Sequence, residues 1–261
     1  MDAGSGEGRG RVRIIPLGVG DAFSARHYTT CLALGADDAW ILIDCPHPVR
    51  KMLREASESS GIPLDLEHIT GVVLSHLHAD HACGIEDFAY YSHFALHRHA
   101  HIAAHPDVSA KLWTGLLAGG MGSIIAGPDE PPVPTRFDTY FRLTDLDLSR
   151  PVAFGPFTVE CRKTFHPVPT TALRIHALGR VLGFSADSRH DPDLIAWLSP
   201  ADLIVHEVST HLHSEVHTPY PYLAALPAPL RARMRLFHYP DDYDHDASVI
   251  RTLRQGEVYD V

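Results

Sequence analysis

The segment His76-Leu77-His78-Ala79-Asp80-His81 places four metal-capable side chains within six positions. It directly follows the apolar, largely β-branched run Gly71-Val72-Val73-Leu74, which predicts a short buried strand. The donors therefore lie on a loop at the carboxyl end of a strand, where open α/β sheets carry their chemistry. Two imidazoles two residues apart can converge on one cation, and the carboxylate with the last imidazole can serve a second. Such donors favour Zn²⁺, and Fe or Mn is compatible with the same set.

Three further donors, His166, Asp187 and His238, follow predicted strands elsewhere in the chain. The apolar runs before them are residues 159–165, 181–184 and 234–237. A single histidine in a chain that holds 20 is usually a surface residue or a satisfied core residue. Donors that recur at the same position, just past successive strands, are better explained by one shared metal centre.

The order of these donors resembles the metallo-β-lactamase-fold superfamily, whose pattern is HxHxDH, a lone His, a bridging Asp and a final His. The resemblance implies a four-layer αββα sandwich in a single domain. It also implies two metal positions that share Asp187 as a bridge. The first would take His76, His78 and His166, and the second would take Asp80, His81 and His238.

Within the superfamily the chain is most similar to the tRNase Z-like branch of phosphodiesterases. The segments that carry this likeness are residues 15–22, 26–32, 40–45, 205–207 and 217–218. The likeness implies that His217 protonates the leaving oxygen, that Glu207 orients His217, and that Asp80 joins them in catalysis. Without the likeness, a local salt bridge at Glu207 and a surface histidine at position 217 would be the simpler interpretation. We expect one helix and one strand between His217 and the ligand His238.

Two features separate the chain from tRNA-processing members of that branch. Those enzymes insert a long basic arm between the lone metal His and the bridging Asp, whereas here we expect only a hairpin, residues 171–175 and 180–184. The chain also carries 22 Lys and Arg against 32 Asp and Glu, a net charge of −10 with neutral histidine. Because basic residues provide most nonspecific affinity for nucleic acid, we do not expect tRNA to be a substrate.

Length and composition favour one globular α/β domain. With 261 residues and 45% hydrophobic content, we expect a hydrolase domain at residues 12–261 after a flexible tail at residues 1–11. The four cysteines lack CxxC spacing, which favours buried thiols over disulfides. No secretory signal pattern and no apolar run near 18 residues is present, which predicts a cytoplasmic protein without a membrane segment.

Two stretches that follow the HxHxDH loop predict different local structures. Residues 107–117 predict a helix, and the Gly- and Pro-rich residues 119–134 predict a long loop. Such a loop can be a lid or binding loop, or a surface excursion without a role, and the sequence leaves both open. The nearby Phe137, Tyr140 and Phe141 could stack on a base or aryl group, or belong to the core.

These observations predict a dinuclear metal-dependent hydrolase, most directly a phosphodiesterase for a small or single-stranded diester. Two divalent ions bridged by Asp187 and a solvent oxygen would generate hydroxide at neutral pH and neutralise charge on the phosphoryl group. A carboxylic ester, lactone or thioester hydrolase on the same metal site is the alternative. A non-enzymatic metal-binding or sensing module is a third option, which the complete donor set disfavours. The sequence does not determine the substrate, the physiological metal or the oligomeric state, for which a homodimer is one option.

Overall fold

The computed structural model describes residues 10–125 and 127–261. A flexible tail was predicted at residues 1–11, and residues 1–9 of it lie outside the described residues. None of the helices in the described residues is both long enough and apolar enough to cross a membrane. All four cysteines are free, and Cys31, Cys45 and Cys161 are buried as predicted, whereas Cys83 is exposed.

Seven strands form the first sheet. They are β1 Val12–Gly18, β2 Cys31–Ala36, β3 Ala39–Ile43, β4 Ile69–Val73, β5 Ala100–Ala104, β8 Phe141–Asp145 and β15 Tyr259–Asp260. Their spatial order is β15-β1-β2-β3-β4-β5-β8, with antiparallel pairing up to β3 and parallel pairing from β3 to β8. Strands β2 to β4 are buried at nearly every position, which is expected for strands covered on both faces.

Six strands form the second sheet. They are β9 Val152–Phe154, β10 Phe157–Lys163, β11 Thr171–Ala177, β12 Arg180–Phe184, β13 Leu203–Glu207 and β14 Met234–Phe237. Their order is β14-β13-β12-β11-β10-β9, with β12, β13 and β14 parallel. The bounds of β14 match the apolar run before His238, and the hairpin predicted between His166 and Asp187 is present as β11 and β12.

Short helices connect the strands and cover the sheets. They are α1 Val49–Ser60, α2 Ala79–Ala82, α3 Ile85–Tyr90, α4 Pro106–Ser109, α5 Ala118–Met121, α6 Phe137–Tyr140, α7 Pro192–Leu198, α8 Tyr220–Ala224 and α9 Ala228–Ala232. A 3₁₀ turn occupies Leu66–His68, and π-helical turns occupy Tyr91–Ala95 and Leu112–Leu117.

The side chains of β2 show how the layers stack. Cys31 and Ala33 belong to the core that contains the buried residues of α1 and α3, whereas Leu32 and Leu34 belong to the core shared with the second sheet. Successive residues of a strand point to opposite faces, so the first sheet is covered by helices on one side and by a sheet on the other. On the outer face of the second sheet, Gly183 of β12 lies directly under α7, where a Cβ would come within 3.2 Å of Leu198. The fold is therefore the predicted αββα sandwich.

The structure differs from the sequence-based expectation between residues 107 and 134. The helix predicted at 107–117 is divided into α4 and the π-helical turn Leu112–Leu117, because the helical hydrogen-bond spacing changes between them. The loop predicted at 119–134 contains most of α5 and a two-stranded ribbon of β6 Ser123–Ile124 and β7 Val133–Pro134, apart from residue 126, which is not described. Because β6 pairs with β7, the irregular part of this stretch is shorter than predicted and the rest is regular.

The aromatic residues after this ribbon belong to the core. Tyr140 and Phe141 are buried, and Phe137 stacks on Phe141 with ring centroids 4.8 Å apart. Of the two roles left open by the sequence, the core role is therefore the one that Tyr140 and Phe141 have, and the partly buried Phe137 packs against the same core.

Candidate metal centre

The predicted donors converge on one edge of the sandwich. They come from the turns after β4, β10, β12 and β14, each just past the carboxyl end of its strand. They form two groups that share Asp187, and within each group one donor atom per residue lies within 4.8 Å of the others. The first group is His76, His78, His166 and Asp187, and the second is Asp80, His81, Asp187 and His238. The structure thus brings together all seven residues that the sequence nominates as metal ligands.

Asp187 belongs to both groups and its two carboxylate oxygens contact residues of each. Its Oδ2 atom is 3.8 Å from Nε2 of His76 and 3.4 Å from Nε2 of His238. Its Oδ1 atom is 3.4 Å from Nε2 of His81. Burial alone would raise the pKa of Asp187, but the surrounding imidazoles outweigh it and hold the pKa well below its usual range. A buried carboxylate in this position can serve both groups.

Unpaired buried atoms test whether a cation fits the cluster. Nε2 of His76, Nε2 of His81 and Oδ1 of Asp187 are buried and have no hydrogen-bond partner among the described residues. Buried polar atoms are nearly always paired, so three unpaired atoms that face one another require an explanation. Burial lowers the pKa of His76 well below its usual value, which favours the neutral imidazole that metal ions bind. The donor set therefore fits divalent cations.

Asp44, which sequence analysis did not single out as a functional residue, orients the HxHxDH loop. Its carboxylate accepts hydrogen bonds from the backbone N–H and the hydroxyl of Ser75, both at 2.8 Å, and contacts Nδ1 of His81 at 2.8 Å. The Ser75 hydroxyl in turn lies 2.9 Å from Nδ1 of His76. With both Nδ1 atoms engaged, the Nε2 atoms of His76 and His81 face the cluster. The sequence signals were an acidic residue directly after a buried strand and its place in residues 40–45, one of the segments similar to the tRNase Z-like branch.

Glu207, which is buried, and His217, which is partly exposed, form an acid–imidazole pair beside the cluster. Oε1 of Glu207 accepts hydrogen bonds from the backbone N–H groups of Ser188 at 2.9 Å and Thr218 at 3.0 Å. This fixes the carboxylate with Oε2 at 3.2 Å from Nδ1 of His217, which is itself 3.9 Å from Oδ2 of Asp187. Between His217 and His238 the chain forms two short helices, α8 and α9, before β14, rather than the single helix expected.

The charges of this pair follow from burial and proximity. Burial lowers the pKa of His217, but the adjacent Glu207 carboxylate outweighs this effect and raises the pKa to about 9. Burial raises the pKa of Glu207 to about 7, against the opposing influence of His217. Without metal in the site, His217 is therefore the protonated member of the pair at neutral pH.

A cleft of about 140 Å³ opens beside the metal cluster, with His217 and His238 in its wall. Two other parts of its wall come from the turn after β1 and from the segment after β13. The residues of those two walls are Asp21, Ala22 and Phe23, and Val208, Ser209, Thr210 and His211. The cleft gives a small molecule access to the cluster.

Comparison with known proteins gives the family. The model of the family described as "Anti-Pycsar protein Apyc1" matches residues 12–259. The chain belongs to this family. The Anti-Pycsar protein Apyc1 of Paenibacillus sp. (strain J14) is 28% identical over 255 residues, which cover 95% of this chain and 98% of the relative. The Anti-Pycsar protein Apyc1 of Bacillus phage 010DV004 is 26% identical over 267 residues, which cover 96% of this chain and 99% of the relative.

Solved structures confirm the fold. The metallo-β-lactamase fold protein YhfI from Bacillus subtilis superposes with a TM-score of 0.74 at 20% identity, covering 96% of this chain and 100% of that protein. The short form of human tRNase Z superposes with a TM-score of 0.67 at 18% identity, covering 95% of this chain and 98% of that protein. These superpositions confirm the metallo-β-lactamase fold that the sequence resemblance implied.

Proposed function

We propose that the chain is a metal-dependent hydrolase of small phosphodiesters, with cyclic nucleotides as the first substrates to test. The observation that carries the proposal is the position of the Glu207–His217 pair at the edge of a complete seven-donor cluster. Metal ligands alone would suit many hydrolytic reactions, whereas a proton donor beside them suits a poor leaving group such as an alkoxide. Membership in the Anti-Pycsar protein Apyc1 family supports the choice of cyclic nucleotides.

The two groups of donors would each hold one divalent ion and would share Asp187, with zinc favoured by the imidazole and carboxylate ligands. When bound, such ions supply Lewis-acid stabilisation of charge on the phosphoryl group and lower the pKa of water in the site. Asp80 is the most exposed side chain of its group, at 11% against 2% or less for the other three. Its carboxylate is therefore placed to accept a hydrogen bond from an attacking water molecule.

His217 supplies the proton that the leaving oxygen needs. Nδ1 of His217 contacts the Glu207 carboxylate. Nε2 is therefore the nitrogen that can donate a proton to a ligand in the cleft. Glu207 stabilises the imidazolium and fixes its orientation, since its other oxygen is held by two backbone N–H groups. The leaving oxygen departs with the proton from Nε2, and Glu207 remains a carboxylate.

The surroundings of the site favour a small substrate. Between His166 and Asp187 the chain forms only the β11–β12 hairpin, whose strands are joined by Leu178 and Gly179. The net charge of −10 disfavours a long polyanion. A single phosphodiester makes few phosphate contacts and can be held by the metal ions and the cleft alone.

The test is a substrate panel on purified protein with measured metal content. The panel contains 3′,5′-cyclic nucleotides, bis-p-nitrophenyl phosphate, lactones and nitrocefin. We expect turnover of the phosphodiesters and loss of that turnover in Asp187→Ala. Turnover confined to lactones or nitrocefin would replace the proposal with the acyl-hydrolase alternative. Metal binding without turnover of any ester would favour a sensing module.

A further inference from the structure

Phe23 is the most exposed large apolar residue among the described residues, with 93% of its surface accessible. It lies in the turn between β1 and β2 and lines the cleft. Exposing an aromatic ring on this scale forgoes about 1.5–3 kcal/mol of hydrophobic stabilisation relative to burial. Because this exposed ring also lines the cleft, it is available to contact a ligand there.

The turn that carries Phe23 is held in place by the carboxylate of Asp241. Asp241 accepts hydrogen bonds from the Ser24 hydroxyl, from the backbone N–H of Ala25 at 2.8 Å and from the backbone N–H of Arg26 at 3.2 Å. The backbone N–H of Phe23 donates to Oδ1 of Asp21 at 3.0 Å. These bonds to Asp241 tie the turn to the segment that follows His238. The backbone that carries the ring is thus fixed relative to the metal cluster.

The segment from Val208 to His211 lines the same cleft as Phe23, together with His217 and His238 of the metal site. A ligand in this cleft whose phosphate reaches the metal cluster therefore has its remaining part within reach of Phe23. A flat aromatic group fits that position, because it can place one face on the Phe23 ring. The cleft volume of about 140 Å³ suits one planar ring system rather than an oligonucleotide.

We propose that Phe23 is the stacking surface for the base of the substrate and makes the site prefer base-bearing diesters over plain alkyl diesters. The proposal rests on the proposed function, since it concerns the same cleft. Stacking uses the π-face that every base has, so it predicts preference for a base without strong selection among bases.

The experiment compares Phe23→Ala with wild type on two substrates that share the same cyclic phosphodiester. One is a 3′,5′-cyclic nucleotide, and the other is the corresponding ribose cyclic phosphate with a methoxy group in place of the base. We expect Phe23→Ala to raise KM for the nucleotide by about 5- to 150-fold, the range that base–aromatic stacking spans. KM for the base-free substrate and kcat for both should change less than twofold. Phe23→Tyr should restore the nucleotide KM, and Phe23→Leu should not.

The matched control is Phe94→Ala, which removes another exposed phenyl ring, 52% accessible, from a π-helical turn that does not line the cleft. We expect no change in either KM for this variant. An unchanged nucleotide KM in Phe23→Ala, or an equal loss on both substrates, would overturn the proposal.

Calorimetric binding of a nucleoside 5′-monophosphate to wild type and Phe23→Ala separates this proposal from the proposed function. Weaker binding in the variant supports the stacking surface even if neither diester is hydrolysed, and equal binding overturns it.

Discussion

The carboxylate of Asp44 lies 2.8 Å from Nδ1 of His81, and both side chains are completely buried. A carboxylate at Nδ1 requires the proton of a neutral imidazole to be on that atom. It therefore leaves the lone pair of Nε2 for the metal cluster. Asp44 has a positive φ of 60°, a conformation that non-glycine residues seldom adopt. The bonds to Ser75 and His81 hold the residue in it.

We expect Asp44→Asn to weaken metal binding by about 10- to 100-fold, the usual effect of removing a partner of a metal-ligating histidine. The asparagine oxygen can keep the bond from the Ser75 backbone N–H. Its NH₂ group then faces Nδ1 of His81 and places the imidazole proton on Nε2, where it blocks coordination. Competition with a chromogenic chelator measures the affinity.

The control for this substitution is Asp87→Asn. Asp87 also contacts Nδ1 of a histidine, His47, at 2.7 Å, but both side chains of that pair are exposed. Metal affinity should be unchanged in this variant. If Asp44→Asn binds metal as tightly as wild type, the carboxylate does not set the tautomer of His81. Thermal unfolding of both variants without metal identifies any general loss of stability.

Metal analysis should give two divalent ions per chain, because two groups of donors share Asp187. We expect Asp187→Ala to lose at least one ion, and Asp38→Ala, which removes an exposed carboxylate, to keep both. Chelation should lower the melting temperature, since binding to the native state alone adds ~2.7 kcal/mol at free metal 100-fold above Kd. A fully active protein with one tightly bound ion would contradict the dinuclear arrangement.

Much of the candidate site could be predicted because each donor follows an apolar run. The run before His238 coincides with β14, and the runs before His166 and Asp187 overlap β10 and β12. Apolar patterning locates the strands, and the carboxyl ends of parallel strands meet at one edge. The polar residue that follows each strand therefore reaches the same place.

Asp44 and Phe23 were harder to predict because their roles depend on contacts between distant segments. Asp44 contacts His81, 37 residues later, and the turn of Phe23 is held by Asp241, more than 200 residues later. Neither residue belongs to a periodic pattern. The sequence also did not indicate the break in the helix predicted at 107–117. The pattern of side chains in this segment does not reveal the change to π-helical hydrogen bonding in Leu112–Leu117.

Binding of tRNA should be weak even at low salt and weaker still as salt rises. The chain carries net negative charge and has only a hairpin between His166 and Asp187, so few phosphates can be neutralised. Fluorescence anisotropy with labelled tRNA at about 50 and 200 mM salt measures this. Hydrolysis of a cyclic nucleotide under the same conditions serves as the positive control. Nanomolar binding that resists salt would show that another surface replaces the arm.

The last prediction concerns the proton donor. His217→Ala should keep its metal content and lose about 10²- to 10⁴-fold in turnover of alkyl phosphodiesters, the usual contribution of general acid catalysis. The loss should be much smaller with p-nitrophenolate as leaving group, because that anion departs without a proton. Glu207→Gln should show the same selectivity more weakly, since Glu207 orients His217 and does not donate. An equal loss for good and poor leaving groups would make His217 a substrate-binding residue, and loss of metal would make it structural. Either result would favour an acyl hydrolase for substrates with good leaving groups such as thioesters, which need no acid beside the cluster.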